Sequence, residues 1–159
     1  MKGAVVRVAI AADHGGFRLK GELLPLLRAL AGVTVEDLGT HSAESTDYPD
    51  HAHRVAEAIA AGTFDRAILV CGTGVGMAIA ANRHAGVRCV CCSETYTAKL
   101  SRQHNDTNVL AIGERVVGKG LAWEIVSTWL AEPTDTDARH ARRREKIEPG
   151  GPSAVPGKA

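Results

Sequence analysis

The chain has almost no net charge, and it lacks a long apolar run. Its formal net charge is +1 at pH 7, so no overall field attracts nucleic acid or an anionic membrane surface. No apolar stretch approaches the length that crosses a membrane. The first residues enter a strand pattern too soon for a secretory signal peptide. We therefore expect a cytoplasmic protein whose partners include neither nucleic acid nor a membrane.

Cysteine is scarce, and its placement suits neither cross-linking nor zinc. Three of the four cysteines, Cys89, Cys91 and Cys92, crowd one predicted strand, where neighbouring side chains point to opposite faces and cannot easily form a bridge. Their spacing also lacks the paired pattern that is typical of zinc sites. We expect reduced thiols, as in a cytoplasmic protein, and no metal site.

The rest of the pattern is that of one α/β domain. A length of 159 residues suits a single domain with a real core, which we place at residues 1–147. Residues 148–159 are rich in Pro, Gly and Ala, and we expect a disordered C-terminal tail there. Short apolar runs alternate with helical patterns, which predicts a three-layer, Rossmann-like sandwich with a five-stranded parallel sheet. The predicted strands are 5–12, 33–38, 67–71, 87–92 and 109–112, and the predicted helices are 17–30, 49–61, one from residue 75, 95–103, 121–130 and 135–147.

The most informative stretch is residues 68–83. An apolar strand ends at Cys71, Gly-Thr-Gly-Val-Gly follows, and a helical pattern starts near Val75. The three glycines leave the backbone of the turn bare, so a ligand can approach it closely. The free N–H groups at the start of the helix favour an anion. Because Cys71 stands at the mouth of this turn and Thr73 adds a hydroxyl group, the stretch indicates chemistry as well as binding.

Side chains that follow other strands should gather beside this turn. In open parallel sheets, ligands bind beyond the carboxyl ends of the strands, near the point where the strand order reverses. Asp13 and His14 end the first predicted strand, and Arg115 follows the fifth. The rule does not place His104 and Asn105, which precede the fifth strand.

A thiol, an anion pocket and arginines together suit one class of reaction. A thiolate near a helix start can remove a proton from carbon, and N–H groups with Thr73 can stabilise the resulting enediolate. Asp13 and His104 can move protons among sugar oxygens. The planar, permanently charged fork of arginine suits a phosphate group. These parts predict an aldose–ketose isomerisation of a sugar phosphate that needs neither metal nor cofactor.

Several motifs in this order resemble one family. They are Asp-His-Gly-Gly-Phe (13–17), Thr-Asp-Tyr-Pro (46–49), Cys-Gly-Thr-Gly-Val-Gly (71–76), Ala-Ala-Asn (80–82), Ser-Arg-Gln-His-Asn-Asp-Thr-Asn (101–108) and Arg-His (139–140). Together they look like type B ribose-5-phosphate isomerases, a family that also contains galactose-6-phosphate isomerase subunits. The resemblance extends over residues 5–147. Some members use a carboxylate further along the turn as the base, but the Gly-Val-Gly-Met of this chain fits the branch that uses cysteine.

The resemblance implies a role for each of these residues. Cys71 is the base that moves a proton between C2 and C1, while Thr73 and the amides of the turn hold the enediolate. His104, with Asp13, helps to open the furanose ring. The substrate contacts that the resemblance implies are His14, Tyr48, Gly72, Gly74, Val75, Gly76, Asn105, Arg115, Arg139 and Arg143. Members of the family are dimers with sites between subunits, so we expect a homodimer or a dimer of dimers in which some arginines serve the neighbour's site.

The substrate that the resemblance implies is ribose 5-phosphate, in exchange with ribulose 5-phosphate. Tetrose 4-phosphates and hexose 6-phosphates use the same proton transfer, and the depth of the pocket decides among them. The depth of the substrate pocket cannot be read from the sequence. The sequence also does not decide which of Arg142, Arg143 and Arg144 faces the phosphate.

The residues taken alone leave other functions open. The glycines at 72, 74 and 76 superficially resemble a dinucleotide fingerprint with Glu94 as its acidic residue, but that fingerprint needs its third glycine where Met77 stands. A sugar-phosphate sensor needs the arginines but no base. A cysteine phosphatase needs an arginine that closes the loop, which this turn lacks. Structural roles are open as well, since Cys71 fits a small buried apolar side chain and the arginines of residues 139–144 fit a solvated helix face.

Overall fold

Five parallel strands form the centre of the structure, a computed structural model that describes residues 4–148 and 150. The strands are β1 (Val6–Ala12), β2 (Val33–Asp37), β3 (Arg66–Cys71), β4 (Cys89–Cys91) and β5 (Val109–Gly113). The helices are α1 (Phe17–Arg28), α2 (Tyr48–Ala60), α3 (Val75–Ala81), α4 (Thr95–Asn105), α5 (Lys119–Ala131) and α6 (Ala138–Ile147). The predicted α/β sandwich with a five-stranded parallel sheet is confirmed. Most of the predicted tail lies outside the described residues.

The two faces of the sheet carry side chains of different size. Helices α1, α4 and α5 cover one face, where large residues such as Ile10, Leu110 and Trp129 pack together. Helices α2 and α3 cover the other face, where the strands present mostly alanines, among them Ala9 and Ala111. Because both faces are covered, every strand of the centre is apolar on both sides, which is the pattern read from the sequence. None of the helices in the described ranges is long and apolar enough to cross a membrane.

The strand order is β2-β1-β3-β5-β4. From β1 the chain crosses to β2 on one side, whereas the later strands add on the other side, beyond β3. The order therefore reverses between β1 and β3, and loops that leave these two strands diverge and open a crevice at their carboxyl ends. Asp13 follows β1 and Cys71 ends β3, so the topology brings both to this crevice.

Helix α4 is longer than predicted. The prediction ended it at residue 103 and put His104 and Asn105 in the segment before β5, but both belong to the last turn of the helix. The helix ends at Asp106, whose backbone is left-handed (φ 47°). The Asp106 carboxylate pairs with Arg102 at 2.7 Å and with Arg88 at 3.2 Å. These ion pairs stabilise a helix C-terminus that lacks the glycine usually found at a left-handed position.

Other boundaries also differ. Strand β4 spans three residues instead of 87–92, because the N–H of Arg88 donates to the side chain of Asn108 (2.8 Å) and so leaves the ladder. Helix α6 begins at Ala138 and not at residue 135, since the Asp137 carboxylate accepts the N–H of Arg139 as its cap. Helix α1 passes through Pro25 and ends two residues before the predicted end.

Two loops at the carboxyl edge pack backbone against backbone. A Cβ atom placed on Gly113, at the end of β5, would lie 2.6 Å from the Cα and carbonyl carbon of Thr73. A Cβ on Gly16 would collide with the carbonyl group of Val70. These glycines are required because a side chain has no room, and they bring the strand ends within reach of each other.

Replacing Gly113 by alanine should destabilise the protein. Overpacking of this kind costs on the order of 1–3 kcal/mol, because the Thr73 backbone must shift. Urea unfolding of the Gly113→Ala variant measures the loss of unfolding free energy. Gly120→Ala in α5 is the matched control, since nothing lies within 4 Å of its added Cβ. Equal stability of the two variants would contradict the tight contact.

Candidate active site

One cavity opens at the carboxyl ends of β1, β3 and β5. Its volume is about 490 Å³. The residues that line it come from the loops after these strands and from the first turns of α2 and α3. They are Asp13, His14, Gly15, Tyr48, Cys71, Gly72, Thr73, Val75, Gly76, Ile79 and Arg115. Nine of the fourteen residues that the sequence singled out as catalytic or substrate-binding thus line one cavity, and Gly15 and Ile79 join them unpredicted.

The thiol of Cys71 lies on the floor of this cavity. Cys71 is the last residue of β3 and is only 5% exposed. Its Sγ atom accepts the N–H of Gly74 at 3.1 Å, and Gly74 can direct that N–H inward because its backbone is left-handed (φ 82°). Thr73 is exposed, and its Oγ1 accepts the N–H of Val75 at 3.3 Å. Thiol, hydroxyl and amides therefore occupy a single turn.

Asp13 contributes a buried carboxylate to the same cavity. Its Oδ1 accepts the N–H groups of Gly15 (2.9 Å) and Gly16 (3.1 Å), which fixes the side chain at the end of β1. The Asp13 residue is 7% exposed. Buried carboxylates are rare unless their oxygens are satisfied, and here backbone donors satisfy one of the two. The geometry holds a proton acceptor at the cavity in a fixed position.

The rim of the cavity consists of longer side chains that pack over glycines. The guanidinium of Arg115 lies over Gly72, where an added Cβ would be 3.2 Å from Nη1. The ring of Tyr48 lies over Gly76, where an added Cβ would be 2.6 Å from Cε2. Arg115 and Tyr48 are both exposed and carry groups that suit a polar ligand.

Two histidines hold the loop that carries Tyr48. The Nδ1 atom of His14 accepts the N–H of Thr46 at 3.2 Å, and Nε2 of His51 hydrogen-bonds to the Thr46 hydroxyl at 3.0 Å. His51 is buried, and its burial lowers its pKa, helped by the positive charge of Arg54. His51 has no distinctive signal in the sequence, because its hydrogen bond to Thr46, five residues earlier, forms only once α2 is folded.

Four predicted site residues lie elsewhere in the chain. His104 and Asn105 are at the end of α4, and Asn105 lines a different cavity of about 400 Å³. Arg139 and Arg143 are exposed on α6. Within the described part of one chain, none of the four lines the cavity of Cys71. Gly74 belongs to the turn but is not among the lining residues.

His104 has its own close neighbours. Its ring stacks on the ring of His140, with the centroids 4.1 Å apart, and the Nδ1 of His140 hydrogen-bonds to Asp135 Oδ2 at 2.5 Å. One ligand atom from each of these three side chains lies within 4.8 Å of the others, so the group is the one in the described ranges that could hold a metal ion. The sequence analysis assigned no role to His140 or Asp135.

The remaining cysteines and Glu94 have other surroundings. All four cysteines are free. Burial raises the pKa of Cys92 to about 11 and that of Cys89 still further, so both are neutral thiols at pH 7. Glu94 accepts the N–H of Thr97 and caps α4. This carboxylate is thus engaged in the helix and is not directed at the glycine turn, as the dinucleotide interpretation would need.

Comparisons with known proteins agree closely with one another. The family model described as Ribose/Galactose Isomerase matches residues 8–147. The chain is 55% identical to ribose-5-phosphate isomerase B of Escherichia coli over 141 residues, which are 89% of this chain and 93% of that protein. A structure of Clostridium thermocellum ribose-5-phosphate isomerase B is similar with a TM-score of 0.85 and 50% identity, over 89% of this chain and 94% of the other. A D-erythrulose-4-phosphate isomerase of Pectobacterium atrosepticum is 41% identical over 127 residues, 79% of this chain and 83% of its own.

The burial of His51 predicts a dependence of stability on pH. Its pKa is lower in the folded state than the ordinary value of 6.5, so the unfolded chain takes up the proton first as the pH falls. The contribution of His51 is therefore complete above that value and is lost below it. From about pH 7.5 to about pH 5.5, urea unfolding should show a smaller loss of stability for His51→Gln than for the unaltered protein. Parallel pH profiles would contradict this.

Proposed function

The chain belongs to the ribose/galactose isomerase family, and we propose that it interconverts ribose 5-phosphate and ribulose 5-phosphate through an enediolate. The observation that carries the proposal is the thiol of Cys71, buried at the head of a glycine turn and open to a cavity that Asp13 and Arg115 share. This reaction needs a base, a set of amide donors and a cation that line the same cavity.

In the proposed mechanism, the thiolate of Cys71 takes the proton from C2 of the open-chain aldose. The electron pair of the broken C–H bond forms the C1–C2 double bond, and the negative charge moves to O1. Thr73 and the N–H groups of the turn stabilise this oxyanion. Cys71 then returns the proton to C1, while the proton of the O2 hydroxyl moves to O1. The atoms balance without an added reductant or oxidant.

The phosphate and the closed sugar ring require further groups. Arg115 and His14, at the rim, suit the phosphate, because both offer N–H donors on exposed side chains. We assign the opening of the furanose ring to His104, assisted by Asp13, and further contacts with the sugar and the phosphate to Asn105, Arg139 and Arg143.

These last residues are proposed to reach the cavity from a second copy of the chain. In one chain, His104 lies on α4 and Cys71 lies at the end of β3, in different surroundings. The exposed face of α3 beside the cavity is apolar, since Val75 is 52% and Ile79 is 62% exposed. Exposed apolar side chains that border an incomplete site favour a homodimer that buries them and completes two equal sites. Four free cysteines support a cytoplasmic location.

A tetrose 4-phosphate is the second candidate substrate. The similarity to a D-erythrulose-4-phosphate isomerase favours it, because that relative matches most of the chain. The proton transfer is the same for both sugars. The distance from the thiol to the phosphate contacts differs, and the tetrose needs no ring opening, because its O4 carries the phosphate.

The proposed reaction predicts deuterium incorporation. NMR of the purified protein with ribose 5-phosphate in D₂O should show ribulose 5-phosphate that carries deuterium at C1, because the base exchanges its proton with solvent during the enediolate step. The Cys71→Ala variant should fold and yield no product. A complete absence of deuterium in the sugar after many turnovers in both directions would point to a hydride shift and contradict the mechanism. If only erythrose 4-phosphate reacts in the same assay, the substrate is the tetrose phosphate.

The shared site predicts complementation between two inactive variants. Cys71→Ala and His104→Ala should each be inactive or nearly so on ribose 5-phosphate. In a mixed dimer, one site receives both altered residues and the other receives neither. With random mixing, half of the dimers are mixed, so the activity should recover to about a quarter of that of the unaltered protein.

The mixing is done by unfolding the two variants together in urea and refolding them. Each variant refolded alone is the control for recovery during refolding. No recovery of activity in the mixture, with both variants refolded to dimers, would contradict a site that is shared between subunits.

A further inference from the structure

The contact between His104 and His140 has no part in the proposed mechanism so far. His140 is 7% exposed, and its Nδ1 is held by the Asp135 carboxylate at 2.5 Å. Its ring lies against the ring of His104 with the centroids 4.1 Å apart and the planes 34° from parallel. The buried ring of His140, held by Asp135, thus packs against the half-buried ring of His104.

The backbone around this pair is fixed as well. The N–H of Asp135 donates to the carbonyl oxygen of Gln103 (3.1 Å), and Nη1 of Arg144 donates to the carbonyl oxygen of His104 (3.0 Å). The hydroxyl of Thr134 donates to the Asp106 carboxylate at 2.6 Å. The end of α4 is therefore joined by hydrogen bonds both to α6 and to the segment that precedes α6.

The imidazole of His104 makes no hydrogen bond to another described side chain or backbone group, so both of its ring nitrogens are available to a substrate. A group that transfers protons must nevertheless be held in one place, and a displacement of about 1 Å can cost on the order of a hundredfold in rate. The stacked ring of His140 limits the rotation of the His104 side chain.

We propose that His140, anchored by Asp135, is a positioning residue that orients His104 for opening the sugar ring. The inference rests on the proposed function, because it assumes that His104 acts on a cyclic sugar phosphate. Asp135 holds His140 in one orientation, and His140 holds His104 by contact of the two rings. Neither His140 nor Asp135 needs to touch the substrate.

The chemistry of the two substrates offers a direct test. Ribose 5-phosphate is mostly a furanose, closed between C1 and O4. Ribulose 5-phosphate cannot form a furanose, because the phosphate blocks O5. Ring opening therefore precedes isomerisation only in the direction from ribose 5-phosphate. In the other direction the product can leave as the open aldehyde and close in solution. Slower ring opening should therefore lower kcat on ribose 5-phosphate but not kcat on ribulose 5-phosphate, while the equilibrium constant keeps the ratio of the two kcat/KM values fixed.

The experiment measures kcat and KM in both directions, with EDTA present, for the unaltered protein and for His140→Ala, Asp135→Ala and His104→Ala. The first two variants should lower kcat on ribose 5-phosphate by about tenfold, less than His104→Ala, because positioned proton transfer contributes about a hundredfold or more. Their kcat on ribulose 5-phosphate should change less than about twofold, since the Cys71 step is intact. Their KM for ribose 5-phosphate should fall together with kcat, because the closed sugar still binds but opens slowly and the equilibrium constant fixes the ratio of the two kcat/KM values.

Two further variants separate positioning from a merely structural effect. His140→Phe keeps an aromatic face against His104 but loses the bond to Asp135, so its kcat on ribose 5-phosphate should lie between that of His140→Ala and that of the unaltered protein. Lys146→Ala, an exposed change on the same helix, should alter neither direction. A partly unfolded variant lowers both directions equally, so the ratio of the two kcat values is insensitive to the folded fraction.

The outcomes are distinct. If His104→Ala selectively impairs ribose 5-phosphate turnover and His140→Ala does not, the positioning role is overturned while the proposed function stands. If His140→Ala impairs both directions to the same extent, His140 supports the fold and the inference is again overturned. If the unaltered protein isomerises neither pentose phosphate, the proposed function fails and the inference fails with it.

Discussion

The site depends on backbone that packs directly on backbone at the carboxyl edge of the sheet. Gly113 touches the backbone of Thr73, and Gly16 touches the carbonyl group of Val70, with no space for a side chain at either contact. Three strand ends are thereby drawn together. The thiol after β3, the carboxylate after β1 and the guanidinium after β5 meet round one cavity because the loops that carry them are in contact.

The proposed site residues at the end of α4 depend on a different constraint. Helix α4 ends at Asp106, in a left-handed conformation that two arginines stabilise through its carboxylate. This end exposes Asn105 and leaves His104 half-buried. Helix α6 packs beside it, with Arg139 and Arg143 exposed and with Arg144 donating to the carbonyl oxygen of His104. Each chain thus carries the Cys71 thiol with its glycine turn in one place and the end of α4, with His104 and Asn105, in another. In the proposed dimer, each copy supplies the end of α4 to the other.

Much of this arrangement could be predicted from the sequence, because it depends on local patterns. The alternation of apolar runs and helical periods predicts the layers, and the glycine turn after β3 predicts where the ligand site lies. The extent of α4 could not be predicted, since its end depends on Asp106 pairing with Arg88, eighteen residues earlier in the chain. His51 and His140 were missed for the same reason. Their partners, Thr46 and the ring of His104, become neighbours only after the chain has folded.

The floor and the rim of the cavity differ in how freely evolution can alter them. The floor is built from glycine backbone and from the end of β3, and a side chain added at Gly16 or Gly113 collides with backbone atoms. The rim consists of exposed side chains such as Tyr48, Ile79 and Arg115, which can be exchanged without disturbing a strand. Divergence toward sugars of other lengths is therefore expected to be recorded in rim residues, while the glycine backbone beneath them stays the same.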